Sequence, residues 1–201
     1  MIKSNSTVNN SSFDAPHRSI DELFTKYNSG GLIVFEHPVD SYWEVNVRSI
    51  KSLLDCGCKG VYVSFQRPIK NIHSRFKQFG INPSDVQVLD ITKIVDVKEI
   101  SEKIYSYLKR SESDKKFVFI DSITTMELIN ARSWTDSFLN FLINIRDNDD
   151  FDNVIVLINT AKDLSDKKIV KGITSVADGV FSIYNSKSGY SIELVKPNIL
   201  T

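Results

Sequence analysis

The sequence predicts an α/β protein, with a mostly parallel sheet covered by helices on both faces and closed by an antiparallel hairpin. Three observations lead there. From Phe13 onward, short β-branched runs alternate with amphipathic segments, and strands separated by helices pair in parallel. The run "KFVFID" (Lys116 to Asp121) is continuously apolar from Phe117 to Ile120, as expected of a central strand covered on both faces. After Asp178-Gly179 the period changes, and "GVFSIY" and "YSIELV" flank "NSKSG" as the two arms of a hairpin.

The elements follow in order. Met1 to Ser12 are Asn/Ser-rich without periodicity and are read as a disordered tail, leaving residues 13–201 as a single domain. "GLIVF" (Gly31 to Phe35) is a buried strand. Trp43, Val47, Ile50 and Leu54 recur at helical spacing, and Gly57 or Gly60 ends that helix. "GVYVSF" (Gly60 to Phe65) is the next strand. Pro68 starts a helix carrying Ile72, Phe76 and Phe79, which Gly80 stops. "VQVLDI" (Val86 to Ile91) precedes a helix marked by Val97, Ile100, Ile104 and Leu108. Beyond "KFVFID", Trp134, Phe138, Phe141 and Ile145 form another helical stripe, and "NVIVLIN" (Asn153 to Asn159) is another buried strand.

Composition removes several classes. The 25 basic and 25 acidic side chains cancel, which argues against nucleic acid and anionic membranes as partners, since both favour a basic surface. No apolar run nears the roughly 20 residues that span a bilayer. The start "MIKSNSTVNNSS" lacks a secretory h-region, so a soluble, cytoplasmic protein is expected. Cys56 and Cys58, the two cysteines, flank Gly57 in "LLDCGCKG". Without further cysteines or a histidine cluster they read as a tight turn after a helix. His17, His37 and His73 are isolated in sequence. Ser64 and Ser122 lack the G-x-S-x-G elbow of a nucleophile. The acidic "RDNDDFD" lacks EF-hand spacing.

Four stretches in order resemble the KaiC-like branch of the RecA-type ATPases. "GLIVFEHPVDSYWEVNVRSIKSLLDCGCKGVYVSF" matches that family's first strand, loop, helix and second strand. "RPIKNIHSRFKQFGIN" is similar to a family helix ending at Phe-Gly. "FVFIDSITTM" resembles the Walker B strand, and "VADGVFSIY" with "YSIELVKP" the closing hairpin. The resemblance spans about Ser19 to Pro197 and implies a RecA-like three-layer α/β/α sandwich.

The same resemblance makes the loop "EHPVDSYW" informative. The Walker A pattern G-x-x-x-x-G-K-[ST] supplies amides, a lysine and a hydroxyl to phosphate and Mg²⁺. Here Glu36 stands for the first glycine, His37, Pro38, Val39 and Asp40 fill the interval, and Ser41 stands for the second glycine. Tyr42 replaces the lysine and Trp43 the Ser/Thr. Carboxylates at Glu36 and Asp40 would face a triphosphate, and two unit charges about 4 Å apart repel by about 4 kcal/mol at an effective dielectric of 20. Ser41-Tyr42-Trp43-Glu44 reads instead as a capping box, with the protein's own oxygens answering the helix amides.

Where KaiC-like ATPases carry the glutamate that activates water, this chain has Gln66 and Arg67, neither of which accepts a proton. Asp121 and Ser122 hold the Walker B position. Asp121 is the one candidate Mg²⁺ ligand, and is read instead as an acid finishing a buried strand and solvated at the sheet's edge. Thr124 to Glu127 read as another capping box. ATP and Mg²⁺ are therefore not expected as cofactors, and no catalytic residue is assigned. The resulting expectation is a pseudo-ATPase acting as a regulatory or signalling module. Its partner would be a protein: an active KaiC-like ATPase or a second copy of itself. Two alternatives are a nucleotide sensor or weak ATPase with a non-standard phosphate loop, stacking a base on Tyr42 and Trp43, and a single-stranded DNA-binding protein.

Overall fold

The computed structural model describes residues 30–40, 42–92, 96–151, 153–186 and 189–197. The expected polar tail, the Phe13 boundary, His17 and Ser41 lie outside the described residues. Seven strands form one sheet in the order β3-β2-β4-β5-β1-β6-β7. They are β1 (Gly31–His37), β2 (Lys59–Ser64), β3 (Val86–Asp90), β4 (Lys116–Asp121), β5 (Val154–Ala161), β6 (Gly179–Ser186) and β7 (Gly189–Pro197). All neighbours run parallel except β6 and β7, which form the expected antiparallel hairpin.

Helices cover both faces. On one side lie α1 (Tyr42–Asp55) and α2 (Ile69–Gln78), whose Val47, Ile50, Ile72 and Phe76 are fully buried over Phe117, Phe119 and Leu157. On the other lie α3 (Val97–Arg110), α4 (Ile123–Ile129), α5 (Arg132–Arg146) and α6 (Lys167–Val176), packed on Val34, Val118, Ile120 and Val156. Central strands buried on both faces explain their unbroken apolar runs. Gly60 is required by close approach: a Cβ there would sit inside the Phe117 ring of β4. Gly57 (φ +82°) takes the left-handed turn that ends α1, and Cys58 then donates its N–H to the Leu53 carbonyl at 3.0 Å. Cys58 is buried in this turn, and burial pushes its thiol up to about 11.

Two helices depart from the sequence reading. No helix is expected between the fifth strand and Asp178, yet α6 lies there, capped by Asp166, whose side chain accepts from the Lys168 N–H at 2.7 Å. The Thr124–Glu127 box is also corrected. α4 begins at Ile123, two residues earlier than that box implies, and its cap is Ser122, whose Oγ accepts from the Thr125 N–H at 3.4 Å. Thr124 Oγ1 instead accepts from the Ala161 N–H at 2.8 Å, and Glu127 Oε2 accepts from the Asp166 N–H at 2.9 Å. Among the described residues, no helix is long and apolar enough to cross a membrane.

Candidate functional site

The C-terminal edge of the sheet, where α/β proteins bind ligands, is where the anomalous loop lies. β1 does not stop at Phe35. Glu36 and His37 stay in register with Thr160 and Ala161 of β5, and the His37 carbonyl accepts from the Lys162 N–H at 2.9 Å. Residues 38–41 alone then join β1 to α1, with Val39 and Asp40 exposed. The first two positions of the would-be phosphate loop are thus spent in the β-ladder. Alternation along β1 turns Glu36 toward α6, where it lines a cavity of about 270 Å³ with Lys162, Lys167 and Lys171. The expectation that Glu36 faces the phosphate position is corrected, because it lies on the opposite face of the sheet from Tyr42.

His37 takes the α1 face and is wholly buried. Its Nδ1–H donates to the Pro38 carbonyl at 2.9 Å, which leaves the lone pair on Nε2. Nε2 is buried without a partner, and burial lowers the imidazole's pKa, so the ring is neutral. Its centroid is 5.4 Å from that of Tyr42, and Tyr42 is 6.3 Å from Trp43. The guanidinium of Arg67 lies 5.2 Å from the Trp43 ring centroid, within cation–π range. An aromatic row closed by a cation therefore occupies the start of α1, at the two positions that the family resemblance aligns with the lysine and hydroxyl of a phosphate loop. Gln66 is also engaged, donating its carboxamide to Thr125 Oγ1, while the Arg67 N–H donates to Ser64 Oγ at 3.1 Å. The Ser41 end of the expected capping box is not described; Glu44 accepts from Arg48 at 3.4 Å.

Asp121 ends β4 beneath α1. The expectation that it is solvated at the sheet's edge is wrong, since it is completely buried. Tyr62 donates its hydroxyl to Asp121 Oδ2, and Asn46 of α1 donates Nδ2 to Oδ1 at 3.3 Å. Asn159, at the matching level of β5, donates Nδ2 to Asn46 Oδ1. Desolvation raises the Asp121 carboxyl well above the usual carboxylate range, which favours its neutral form. Both carboxyl oxygens thus have protein donors, and a cation there would have to displace Asn46 or Tyr62.

Asn46, Tyr62 and Asn159 are the residues that sequence reasoning missed. Asn46 carried a faint signal, a polar residue among the inward positions of the Trp43–Leu54 stripe. Among the described residues no group of three or more His, Cys, Asp or Glu is placed to hold a metal.

No protein-family model and no curated protein matches the chain. Solved structures do. The uncharacterized protein PH0321 of Pyrococcus horikoshii, crystallised with an unknown peptide, aligns with TM-score 0.65 and 14% identity over 89% of this chain and 90% of its own. The flagellar accessory protein FlaH of Methanocaldococcus jannaschii aligns with TM-score 0.65 and 14% identity over 90% and 86%. The KaiC-like protein PH0186 of P. horikoshii aligns with TM-score 0.61 and 16% identity over 85% and 81%. The chain therefore has a RecA-like α/β fold. Within that class its architecture is the one seen in KaiC-like proteins, as the four sequence stretches imply.

Proposed function

We propose that this chain is a RecA-fold domain that has lost nucleotide hydrolysis and serves as a protein-interaction and regulatory module. The observation that carries the reading is Asp121, wholly buried and held by Asn46 and Tyr62. It is supported by the four-residue loop, by the aromatic row at Tyr42 and Trp43, and by Gln66 and Arg67 at the base position. Of the residues at those positions, Gln66 and Arg67 cannot take a proton as a catalytic base would, and Tyr42 and Trp43 cannot neutralise a phosphate as a lysine would. A protein partner is in keeping with the fold's neighbours, one crystallised with a peptide and another termed an accessory protein.

The test is a Mg-ATP titration followed by tryptophan emission and calorimetry, since Trp43 lies in the altered site. The expected result is no saturable signal at micromolar nucleotide. Micromolar binding, or release of phosphate, would overturn the proposal.

A further inference from the structure

α6 is charged against its own dipole. Lys167 and Lys168 stand in its first turn with no acid among them, and Lys171 follows one turn on. Cations are disfavoured at a helix start, and like charges four residues apart repel. The cap Asp166 is engaged elsewhere, accepting from the Lys168 N–H and lying 3.7 Å from Arg132. Lys167 and Lys171 line the cavity beside Glu36, together with Val170 and Thr174 of the same helix face. Lys162 joins them from the turn after β5. Its ammonium lies 4.2 Å from the Tyr184 ring centroid on β6, so its side chain passes over β1, the strand between. Among the described residues none of these three lysines forms an ion pair.

The floor of this cavity is polar and held in place. Thr160, Glu36 and Ser182 stand side by side on β5, β1 and β6, in register. All three take the α6 face, as Ile158, Val34 and Val180 do two residues before them. Ser165 Oγ lies 2.7 Å from Thr160 Oγ1 and 2.6 Å from Thr124 Oγ1, which ties the turn carrying Lys162 and Asp163 to α4. Ser182 is 1% exposed, and its Oγ has no partner. A buried hydroxyl left unmet is costly, so the row ends on an unanswered polar group. Three lysines against Glu36 and Asp163 leave one net positive charge around about 270 Å³.

We infer that this cavity binds a small phosphomonoester bearing hydroxyl groups. The phosphate takes the ammonium groups of Lys162, Lys167 and Lys171 near the start of α6, where the dipole favours an anion. All three cations are lysines, point charges suited to a tetrahedral anion, and none is the planar fork that suits a carboxylate. The ligand's hydroxyls donate to Glu36, whose carboxylate would repel a bare anion, and meet Thr160 and Thr174. The volume is at the small end for a ligand pocket, which suits a triose or hexose phosphate and is tight for a nucleoside triphosphate. The inference does not depend on the module reading, because the cavity lies on the opposite face of the sheet from Tyr42.

The test titrates glycerol 3-phosphate and glucose 6-phosphate into the full chain by calorimetry, with glycerol, glucose and inorganic phosphate as controls. At least one phosphomonoester is expected to bind saturably and about tenfold tighter than inorganic phosphate, and the uncharged controls not at all. Lys167→Met and Lys171→Met, both at exposed positions, are each expected to weaken that binding about tenfold. Glu36→Gln is expected to tighten inorganic phosphate and to narrow its gap from the phosphomonoester. Binding of neither phosphomonoester, affinity no better than that of inorganic phosphate, or indifference to both lysine variants would each overturn the inference. So would binding confined to a single-stranded oligonucleotide and steeply dependent on salt, since the lysines would then serve a polymer. The two proposals fail separately: Mg-ATP binding that survives both lysine variants overturns the module reading alone, and absent phosphomonoester binding overturns the cavity alone.

Discussion

Burial acts with opposite sign on Asp121 and His37, both buried and facing α1. The folded-state pKa of Asp121 lies above its unfolded value of 3.8. Its contribution to stability is complete below that pH and is lost as pH rises through the folded value. His37 is lowered from 6.5, so its contribution is present above that pH and is lost as pH falls through the folded value. Asp121→Asn keeps the shape, can still accept from Asn46, and cannot ionise. It is expected to raise the melting temperature at about pH 8 by about 2–4 °C, the shift that about 1 kcal/mol produces in a chain of this size. The gain should vanish well below pH 3.8, where the parent's carboxyl is neutral in both states. Thermal scans across pH check this, and a variant less stable at pH 8 would show that the charged form is the one being held.

At the scale of elements, α4 and α6 show where local reading stops. The strands are legible because burial on both faces writes itself as unbroken apolar runs, and α5 because Trp134, Phe138, Phe141 and Ile145 repeat at helical spacing. α6 buries two side chains, Ile169 and Ile173, among exposed lysines, too narrow a stripe to stand out. The [ST]-x-x-E pattern at Thr124 was misread because Thr124 Oγ1 is claimed by the Ala161 N–H, a contact 37 residues away along the chain. The two assignments predict different energetics. Thr124→Val strands a backbone donor and is expected to cost about 1–3 kcal/mol, whereas Ser122→Ala removes a long cap bond and should cost about 1 kcal/mol or less. Urea denaturation of both variants decides, and the reverse order would restore Thr124 as the cap.

On the scale of the whole molecule, the candidate site is assembled by contacts that no window of sequence contains. Asn46 reaches Asp121 across 75 positions and Asn159 across 113. The sequence did reveal what the loop lacks, its glycines, lysine and hydroxyl. It could not reveal that β1 continues through His37 or that Glu36 faces α6, because strand length is set by pairing with β5. That extension has a testable consequence. The double change Tyr42→Lys with Trp43→Thr is expected not to create Mg-ATP binding, because the loop remains four residues long and Asp121 remains engaged. Calorimetry showing micromolar binding by the double variant would mean that the backbone still supplies the cradle.

Through Asn46, α1 is tied to Asp121 of β4 and to Asn159 of β5 in a single fully buried chain of amides and acid. On the proposed reading, with that helix moored from within, the molecule would keep no record of nucleotide turnover. Whatever it tells its surroundings would be conveyed by how many copies there are and what they hold.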